Sequence, residues 1–295
     1  MRHVDVVIVT YNSADKIGAC LASLAGDPDV RVTVVDNAST DETLQRLRLL
    51  SVDVLPQRVN GGFAVGCNVG WRSGEAPYVL FLNPDAVIEP SSVRALAEVL
   101  ARDSAVGIAA PKFLYPDGRL APYLRRFPTL ASTFGRALFL HRLFPRARSF
   151  EEVVSDPAAY ERPGRVEWVP GACLLVRRSL LERLGGFDER YFMYCEDKDL
   201  CKRAREVGQY VWFEPRAVCI HESGASRPRS SLLPVLAESR LRYAGRHERA
   251  AVAALHRVGL LLEALTRLAL SRGGAAARAG HVEALRSLVR PLHQS

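Results

Sequence analysis

The first 110 residues alternate short apolar runs with amphipathic segments. Five runs rich in β-branched residues predict strands, at positions 4–9, 30–35, 52–55, 77–82 and 106–110. The segments between them predict helices: Ser13, Thr40 and Pro90 stand where three helices would begin, and residues 63–71 predict a fourth. Strands that alternate with helices indicate an α/β fold with a Rossmann-like, mostly parallel sheet and helices on both faces.

The alternation stops after Pro111. Residues 112–165 contain six prolines and one apolar helical stretch, and they predict an irregular, partly helical insert. Regular patterns return afterwards, with strands at 166–169, 210–213 and 217–220 and helices at 179–184 and about 197–207. From Leu232 onward the pattern is helical. We therefore predict one domain over residues 1–226 and a helical C-terminal extension over residues 227–295.

Charge is distributed unevenly along the chain. The segment from His221 to the C-terminus holds 12 arginines and 5 glutamates, and so carries +7 of the net charge of +8. A basic tail suits a polyanion or an anionic membrane surface. A general preference for arginine explains it equally well, because the chain has 36 arginines and only 4 lysines.

Several features bear on localisation. A strand pattern begins at Val4 with no signal-peptide pattern before it, and no run of 18 uncharged apolar residues predicts a membrane span. The six cysteines form no CxxC pair and no zinc-type spacing, so we expect reduced, buried thiols in a cytoplasmic protein. Residues 250–270 predict a helix with one polar and one broad apolar face. That face could lie peripherally on the inner face of the cell membrane, pack on the domain, or form a homodimer.

Polar residues follow the predicted strands, and the carboxyl ends of strands in an open α/β sheet are where ligands bind. They are Thr10, Tyr11 and Asn12 after the first strand, Asp36 at the end of the second, Asn83 and Asp85 after the fourth, and His221 at the end of the last. Asp36 could accept a hydrogen bond from a nucleotide base on which Tyr11 stacks, or join a helix cap with Ser39 and Thr40. Asp85 could hold a divalent cation, or close a turn without any chemistry.

Two common nucleotide-binding patterns are absent. The first strand is followed by Thr10-Tyr11-Asn12 and lacks the glycines of a dinucleotide-binding turn, and no GxxxxGK[ST] sequence occurs anywhere. These absences exclude a standard NAD-binding or P-loop protein. Glu196 and Asp197 form a second acidic pair at a predicted helix start, where the helix dipole also favours acids.

Taken in order, the motifs resemble the family 2 glycosyltransferases, and most closely their rhamnosyltransferase-like branch. The resemblance spans roughly residues 4–226, and the blocks that carry it are VIVTYNS at 7–13, VVDNASTD at 34–41, NGGFAVGCNVG at 60–70, FLNPD at 81–85, WVPGA at 168–172, GGFD at 185–188, YCEDKD at 194–199 and HESG at 221–224. It implies a GT-A fold and transfer of a sugar, with inversion, from a nucleotide-diphosphate donor. The implied donor is dTDP-rhamnose, and the implied acceptor is a lipid-linked or cell-surface glycan such as a polyprenyl-diphosphate-linked sugar.

The resemblance also implies roles for individual residues. Those expected to hold the nucleotide sugar are Thr10, Tyr11, Asn12, Asp36, Asn60, Asn68 and Asn83. Asp85 and His221 would bind Mg²⁺ or Mn²⁺; Asn83 stands where the family has its first metal-motif acid, which leaves Asp85 as the motif's one carboxylate. An inverting transfer needs one base for the acceptor hydroxyl, and Asp197 matches that position, with Glu196 as the second candidate.

Two other functions fit parts of the sequence. A nucleotidyltransferase also uses an α/β sheet and a metal-bound diphosphate, but normally has a glycine-rich loop after its first strand. A nucleic-acid-binding protein could use the basic tail. Tyr243 is the one aromatic residue after position 226, so the tail offers little for stacking on bases and we expect no nucleic-acid partner.

Overall fold

The computed structural model describes residues 3–50, 52–144, 147–222, 229–271 and 274–290. The chain divides into two compact units. The sheet unit comprises Met1–Arg125, Val154–Glu189 and Glu196–Ser226, and the helical unit comprises Arg126–Val153, Arg190–Cys195 and Arg227–Ser295. The last change of unit falls between residues 226 and 227, where we placed the domain boundary, and two internal segments, Arg126–Val153 and Arg190–Cys195, group with the C-terminal helices.

A nine-stranded sheet forms the centre of the sheet unit. Its strands are β1 (Val4–Thr10), β2 (Val30–Asp36), β3 (Asp53–Pro56), β4 (Tyr78–Leu82), β5 (Ala86–Ile88), β6 (Val106–Leu114), β7 (Gly164–Val166), β8 (Cys173–Arg177) and β9 (Tyr210–His221). They lie in the order β3-β2-β1-β4-β8-β6-β9-β5, with β7 also paired to β9. The predicted α/β class with C-terminal helices is confirmed.

The first half of the sheet is parallel, as the sequence pattern indicates. β1 pairs in parallel with both β2 and β4, and β2 with β3. Every position of β1 is buried, as expected for a strand covered by helices on both faces. The register sets Thr10 opposite Asp36, so the polar residues that end these two strands meet at one edge of the sheet.

The second half is mixed. β8 lies between β4 and β6 and is antiparallel to both. We predicted no strand at 173–177. The two strands predicted at 210–213 and 217–220 are one strand, β9, which pairs in parallel with β6 and antiparallel with β5 and β7. The buried apolar core on one side of the sheet draws on β1, β2, β4, β6 and β8 together.

Eleven helices occur in the described residues: α1 (Ile17–Ser23), α2 (Thr43–Arg48), α3 (Phe63–Arg72), α4 (Pro90–Arg102), α5 (Leu130–Ala137), α6 (Leu140–Leu143), α7 (Arg178–Leu184), α8 (Glu196–Glu206), α9 (Arg229–His247), α10 (Ala250–Ala269) and α11 (Gly274–Val289). Pro90 occupies the first turn of α4 as predicted. Ser13 and Thr40 do not cap helices: α1 and α2 begin later, and neither receives a side-chain cap.

Helix α3 packs directly on the parallel strands because two of its residues lack side chains. A Cβ on Gly70 would lie 2.2 Å from Val7 Cγ1, and one on Gly66 would lie 2.6 Å from Val9 Cγ1. Any larger residue would push the helix away from β1. The glycines of the NGGFAVGCNVG block therefore fix how closely the loop before α3 approaches the ligand-binding edge of the sheet.

The helical unit has its own small core, formed by Leu241, Leu260, Ala264 and Leu288. Arginine and glutamate side chains of three helices, α5, α9 and α10, meet beside it. Within the part of the chain that the structure describes, no helix combines the length and apolar character needed to cross a bilayer.

Candidate functional site

Asp36 lies at the meeting point of β1 and β2 and is fully buried. Its carboxylate accepts hydrogen bonds from Thr10 Oγ1 at 2.9 Å, from Ser39 N at 2.9 Å and from Ser39 Oγ at 2.6 Å. Asp36 thus bonds Ser39, as the alternative expected, but within a turn and not as a helix cap, because α2 begins at Thr43 without a side-chain cap. Thr40 takes a different partner and donates its backbone N–H to Asn12 Oδ1 at 2.8 Å.

The loops after β1 and β2 are held in uncommon backbone conformations. Asn12 has a φ of 51° and Ala38 a φ of 59°, both in the left-handed region that residues other than glycine rarely adopt. Asn12 N donates to Ser39 Oγ at 2.9 Å, which ties the two loops together. Strain of this kind clusters at ligand sites. Tyr11, which directly precedes Asn12 in the loop after β1, is half-buried.

Asn37 is a candidate that the sequence reasoning missed. It is 2% exposed, and its Nδ2 donates to Gly62 O at 2.9 Å. Its Oδ1 is buried without a hydrogen-bond partner among the described residues. An unsatisfied buried acceptor is costly, so a water molecule, an ion or a bound ligand is expected to pair with it. The available signal was its position directly after Asp36.

Asn60 and Asn68 flank the glycine-rich loop but differ in what they can do. Asn60 is half-buried, and its Oδ1 accepts a hydrogen bond from Gly62 N at 3.0 Å. Asn68 is 1% exposed: its Oδ1 accepts from Trp71 Nε1 and Phe187 N, and its Nδ2 donates to Phe187 O. The amide of Asn68 is committed to protein partners, so we correct its expected role to that of a scaffold residue that ties α3 to the loop after α7.

Asp85 and His221 meet, as their positions at strand ends predict. His221 Nε2 lies 3.0 Å from Asp85 Oδ1 and 3.4 Å from Asn83 Nδ2. Both side chains are close to nine-tenths buried. On the other side of the ring, His221 Nδ1 lies 2.9 Å from the hydroxyl of Tyr123. The loop predicted after His221 continues into Ser223 and Gly224, which lie outside the described residues.

This pair fits a divalent cation in part. A carboxylate and an imidazole 3.0 Å apart offer two donor atoms of types that Mn²⁺ and Mg²⁺ accept. No group of three histidine, cysteine or acidic side chains in the described residues could hold an ion alone. A cation here would need further oxygen ligands, which a bound diphosphate supplies. Tyr123, which the sequence reasoning missed, can orient the histidine ring through the nitrogen that faces away from Asp85.

The acidic pair lies at the start of α8. Asp197 is half-buried, and its carboxylate accepts hydrogen bonds from the backbone N–H of Gly171 at 2.8 Å and of Lys198 at 2.7 Å. Glu196 is 5% exposed, and its Oε2 has no hydrogen-bond partner among the described residues. Asp197 is therefore the more exposed acid of the pair.

Both carboxyl groups are better proton acceptors than ordinary surface acids. Burial raises the pKa of Asp197, and the hydrogen bonds from the two backbone N–H groups partly offset that rise. Burial also raises the pKa of Glu196 well above its usual value, and the neighbouring charge of Asp197 raises it further. A carboxylate with a raised pKa is a stronger base in the ionised form.

Backbone hydrogen bonds connect the Asn83-Pro84-Asp85 turn to Asp197. Asn83 N donates to Ala172 O at 2.9 Å, which extends the pairing of β4 with β8. Gly171, the residue before Ala172, donates its backbone N–H to the carboxylate of Asp197. A Cβ on Gly171 would lie 3.2 Å from the ring of Phe63, which would have to shift by a few tenths of an ångström, and 3.4 Å from Asp197 Cβ, an ordinary contact distance. The Asn83-Pro84-Asp85 turn and Asp197 thus share one edge of the sheet.

Comparisons with known proteins identify the family. The sequence profile of the family described as "Glycosyl transferase family 2" matches residues 5–185. The chain is 36% identical over 242 residues to an N-acetylglucosaminyl-diphospho-decaprenol L-rhamnosyltransferase of Mycobacterium tuberculosis, which covers 76% of this chain and 77% of that protein. It is 28% identical over 225 residues to the rhamnosyltransferase WbbL of Escherichia coli, covering 73% of this chain and 82% of that protein.

Solved structures support the same fold. The mannosyltransferase PcManGT of Pyrobaculum calidifontis, determined with GDP-mannose and Mn²⁺, superposes with a TM-score of 0.58 at 20% identity, over 98% of this chain and 81% of that one. The GT-A fold predicted from the motifs is thereby confirmed. With a profile match over more than half of its length and a relative of 36% identity, the chain belongs to glycosyl transferase family 2.

Proposed function

We propose that this glycosyltransferase moves rhamnose from dTDP-rhamnose to a polyprenyl-diphosphate-linked sugar, with inversion at the transferred carbon. The relatives named as rhamnosyltransferases support the sugar, and the name of the mycobacterial relative supports the acceptor. The observation that carries the proposal is the backbone connection that brings the Asp85–His221 pair and Asp197 to one edge of the sheet.

The donor would lie over the carboxyl ends of β1, β2 and β4. Asp36, Tyr11 and Asn12 would bind the nucleoside, with Thr10 and Asn60 shaping the surrounding loops and Asn83 beside the diphosphate. Asp85 and His221 would hold Mg²⁺ or Mn²⁺, which when bound neutralises the diphosphate and makes it a better leaving group. Lys16, whose ammonium group pairs with Glu222, adds a further positive charge at the loop after β1.

Asp197 would act as the base. The acceptor hydroxyl oxygen attacks the anomeric carbon of the donor, and the bond from that carbon to the diphosphate oxygen breaks with its electron pair leaving on the diphosphate. The hydroxyl proton passes to Asp197, whose two backbone hydrogen bonds fix the direction of its free lone pairs. Glu196, being more deeply buried, remains the second candidate.

An Asp197→Asn variant tests this assignment. Transfer should fall by roughly 10²–10⁴-fold, the usual worth of a general base, because the amide cannot take a proton. Donor affinity measured by calorimetry should stay close to that of the native protein. Glu206→Gln, an exposed acid at the far end of the same helix, is the matched control and should retain activity. Near-native turnover of Asp197→Asn would show that the base lies elsewhere, and loss of turnover in Glu196→Gln alone would move the role to that residue.

A panel of nucleotide sugars tests the donor. Each is added with Mn²⁺, and the true donor should give the largest rise in melting temperature because it binds only the folded protein. Chelation of divalent cations should reverse that rise if the cation bridges donor and protein. An acceptor anchored in lipid would place the protein at the inner face of the cell membrane, which we expect it to reach from the cytoplasm.

A further inference from the structure

Helix α10 turns its polar side chains toward the interior of the helical unit. His256 is 4% exposed, and its Nδ1 lies 2.8 Å from Thr133 Oγ1. Glu263 is 8% exposed and forms ion pairs with Arg136 and Arg240. These groups are the ones that an ordinary surface helix would present to water.

The opposite face of α10 is apolar and exposed. Its residues recur every three or four positions and therefore lie along one side of the helix. We call them the α10 stripe: Ala251, Leu255, Val258, Leu262, Leu265 and Ala269. Leu255, Val258 and Leu265 are 46%, 53% and 52% exposed, and no charged or polar residue interrupts the stripe. A helix that buries its charges and exposes its leucines is built to be covered by an apolar partner.

A second group of exposed apolar side chains belongs to the segment around α6, which contacts the C-terminal end of α10 on the face opposite the stripe. The guanidinium of Arg267 lies 4.4 Å from the ring centroid of Phe139, which brings the segment around α6 against that end of the helix. Within this segment Leu138, Leu143 and Phe144 are 48%, 69% and 55% exposed. The helical unit thus presents exposed apolar side chains from two separate parts of the chain.

The charge of the helical unit indicates what covers the stripe. Its three segments contain 18 arginines and six glutamates, with neither lysine nor aspartate, a net charge of +12. The sheet unit carries the balance, a net charge of −4. In a homodimer formed through the stripe, two helical units that each carry a net charge of +12 would face each other and repel. In a bilayer with anionic headgroups, the arginines would pair with lipid phosphates and the leucines would enter the apolar interior.

We propose that the α10 stripe is a membrane-docking surface that lies in the interface of an anionic bilayer, parallel to the membrane plane. A 20-residue helix is about 30 Å long, and the stripe runs along most of it, from Ala251 to Ala269. Its apolar side chains would enter the bilayer interface while the arginines of the unit contact lipid phosphates. This inference goes beyond the transfer reaction and does not depend on it, because binding to lipid needs neither donor nor acceptor.

Vesicle co-sedimentation without substrates tests the proposal. Vesicles are made of phosphatidylcholine alone or with about one-third phosphatidylglycerol. The native protein should sediment with the anionic vesicles and much less with the neutral ones. A Leu255→Gln/Leu265→Gln variant should bind about tenfold more weakly or worse, because two partly exposed leucines lose their transfer into lipid. Leu49→Gln/Val59→Gln is the matched control: these residues are 83% and 72% exposed but belong to the sheet unit, so vesicle binding should not change.

Two arginine variants test the contribution of charge to vesicle binding, and a thermal-unfolding control tests whether each variant is folded. Arg142→Gln and Arg249→Gln, at exposed positions of the helical unit, should each lower binding to anionic vesicles about fivefold, the worth of one basic residue near a charged membrane. Thermal unfolding confirms that each variant is folded. Equal vesicle binding by the native protein and the stripe variant would overturn the proposal. So would absent vesicle binding together with a native dimer that the stripe variant turns into monomer, because a second copy would then cover the stripe.

Discussion

Replacing Glu263 with glutamine should destabilise the helical unit in a pH-dependent way. Glu263 Oε2 lies 2.6 Å from the guanidinium of Arg240, and Oε1 lies 3.1 Å from that of Arg136. Burial by itself would raise the pKa of Glu263, but the charges and hydrogen bonds of the two arginines outweigh it and lower the pKa to about 2. The carboxylate is therefore held ionised in the folded protein.

The size of the effect follows from that pKa. A fall from 4.5 to about 2 corresponds to about 3 kcal/mol of stabilisation at neutral pH. Because the folded-state pKa lies below the unfolded value, this stabilisation is fully present above pH 4.5 and is lost as the pH falls toward 2. Near pH 3 about half of it should remain. Glu263→Gln removes the charge, and Arg240 is then left with Glu152 at 3.8 Å as its nearest acid.

Tryptophan fluorescence reports on the sheet unit alone, whereas circular dichroism reports on the helices of both units. All three tryptophans, Trp71, Trp168 and Trp212, belong to the sheet unit, whereas α9, α10 and α11 contribute strongly to the circular dichroism of the helical unit. Urea unfolding of native protein and variant is followed by both signals, at pH 7 and near pH 3. The variant should lose about 3 kcal/mol at pH 7 and clearly less near pH 3.

The matched control is Glu283→Gln on α11. Glu283 pairs with Arg286 on the surface, and both side chains are more than half exposed, so its loss should cost only a few tenths of a kcal/mol. A loss for Glu263→Gln that is the same at both pH values would refute the electrostatic explanation and leave packing as the cause. A loss no larger than that of the control would show that the buried ion pairs contribute nothing net.

Two further predictions concern the candidate site and its support. With dTDP present to supply the diphosphate oxygens, Asp85→Ala should abolish Mn²⁺ binding measured by electron paramagnetic resonance. Tyr123→Phe should weaken that binding about tenfold, because His221 loses the hydroxyl that orients its ring; unchanged Mn²⁺ affinity in both variants would remove these residues from the metal site. Gly186→Ala and Gly208→Ala start from the same φ of 83°, but only at Gly186 would the new Cβ approach other side chains, to 2.3 Å. Thermal melts should give a loss of roughly 1 kcal/mol for Gly208→Ala and roughly 3 for Gly186→Ala, and equal losses would contradict the clash.

The sequence predicted the parallel half of the sheet because strand and helix signals there are local. β1, β2 and β4 are β-branched or apolar runs that helical segments separate, and both strands and crossovers appear within a few tens of residues. β8 was not predicted. Its five residues are a short apolar run, which periodicity cannot assign to strand or helix, and its direction depends on partners far away in the chain.

At the candidate site, too, the sequence predicted the contacts that follow from a residue's place at a strand end and missed those with partners far away in the chain. Asp85 and His221 could be anticipated because each ends a strand, and strand ends gather at one edge of the sheet. Asn68 was misjudged because its partner Phe187 lies 119 residues later, and a polar residue inside a helix gives no sign of such a contact. Tyr123 was missed for a related reason: it lies in the irregular insert, where no periodic pattern indicates which side chains point inward.

The position of β8 also governs how the chain can fold during synthesis. β4 pairs with β8, whose residues are synthesised about ninety positions later. β6 pairs with the other edge of β8 and therefore also waits for it. Until residue 177 has left the ribosome, β4 and β6 of the nascent chain each have an apolar strand edge with no partner, because β8 is not yet available to fill the space between them. Open edges of this kind pair readily with other chains. Growth of the nascent polypeptide past β8 is thus the step that closes the centre of the sheet, and chains that stop short of it would be exposed to aggregation and to the quality-control proteases of the cell.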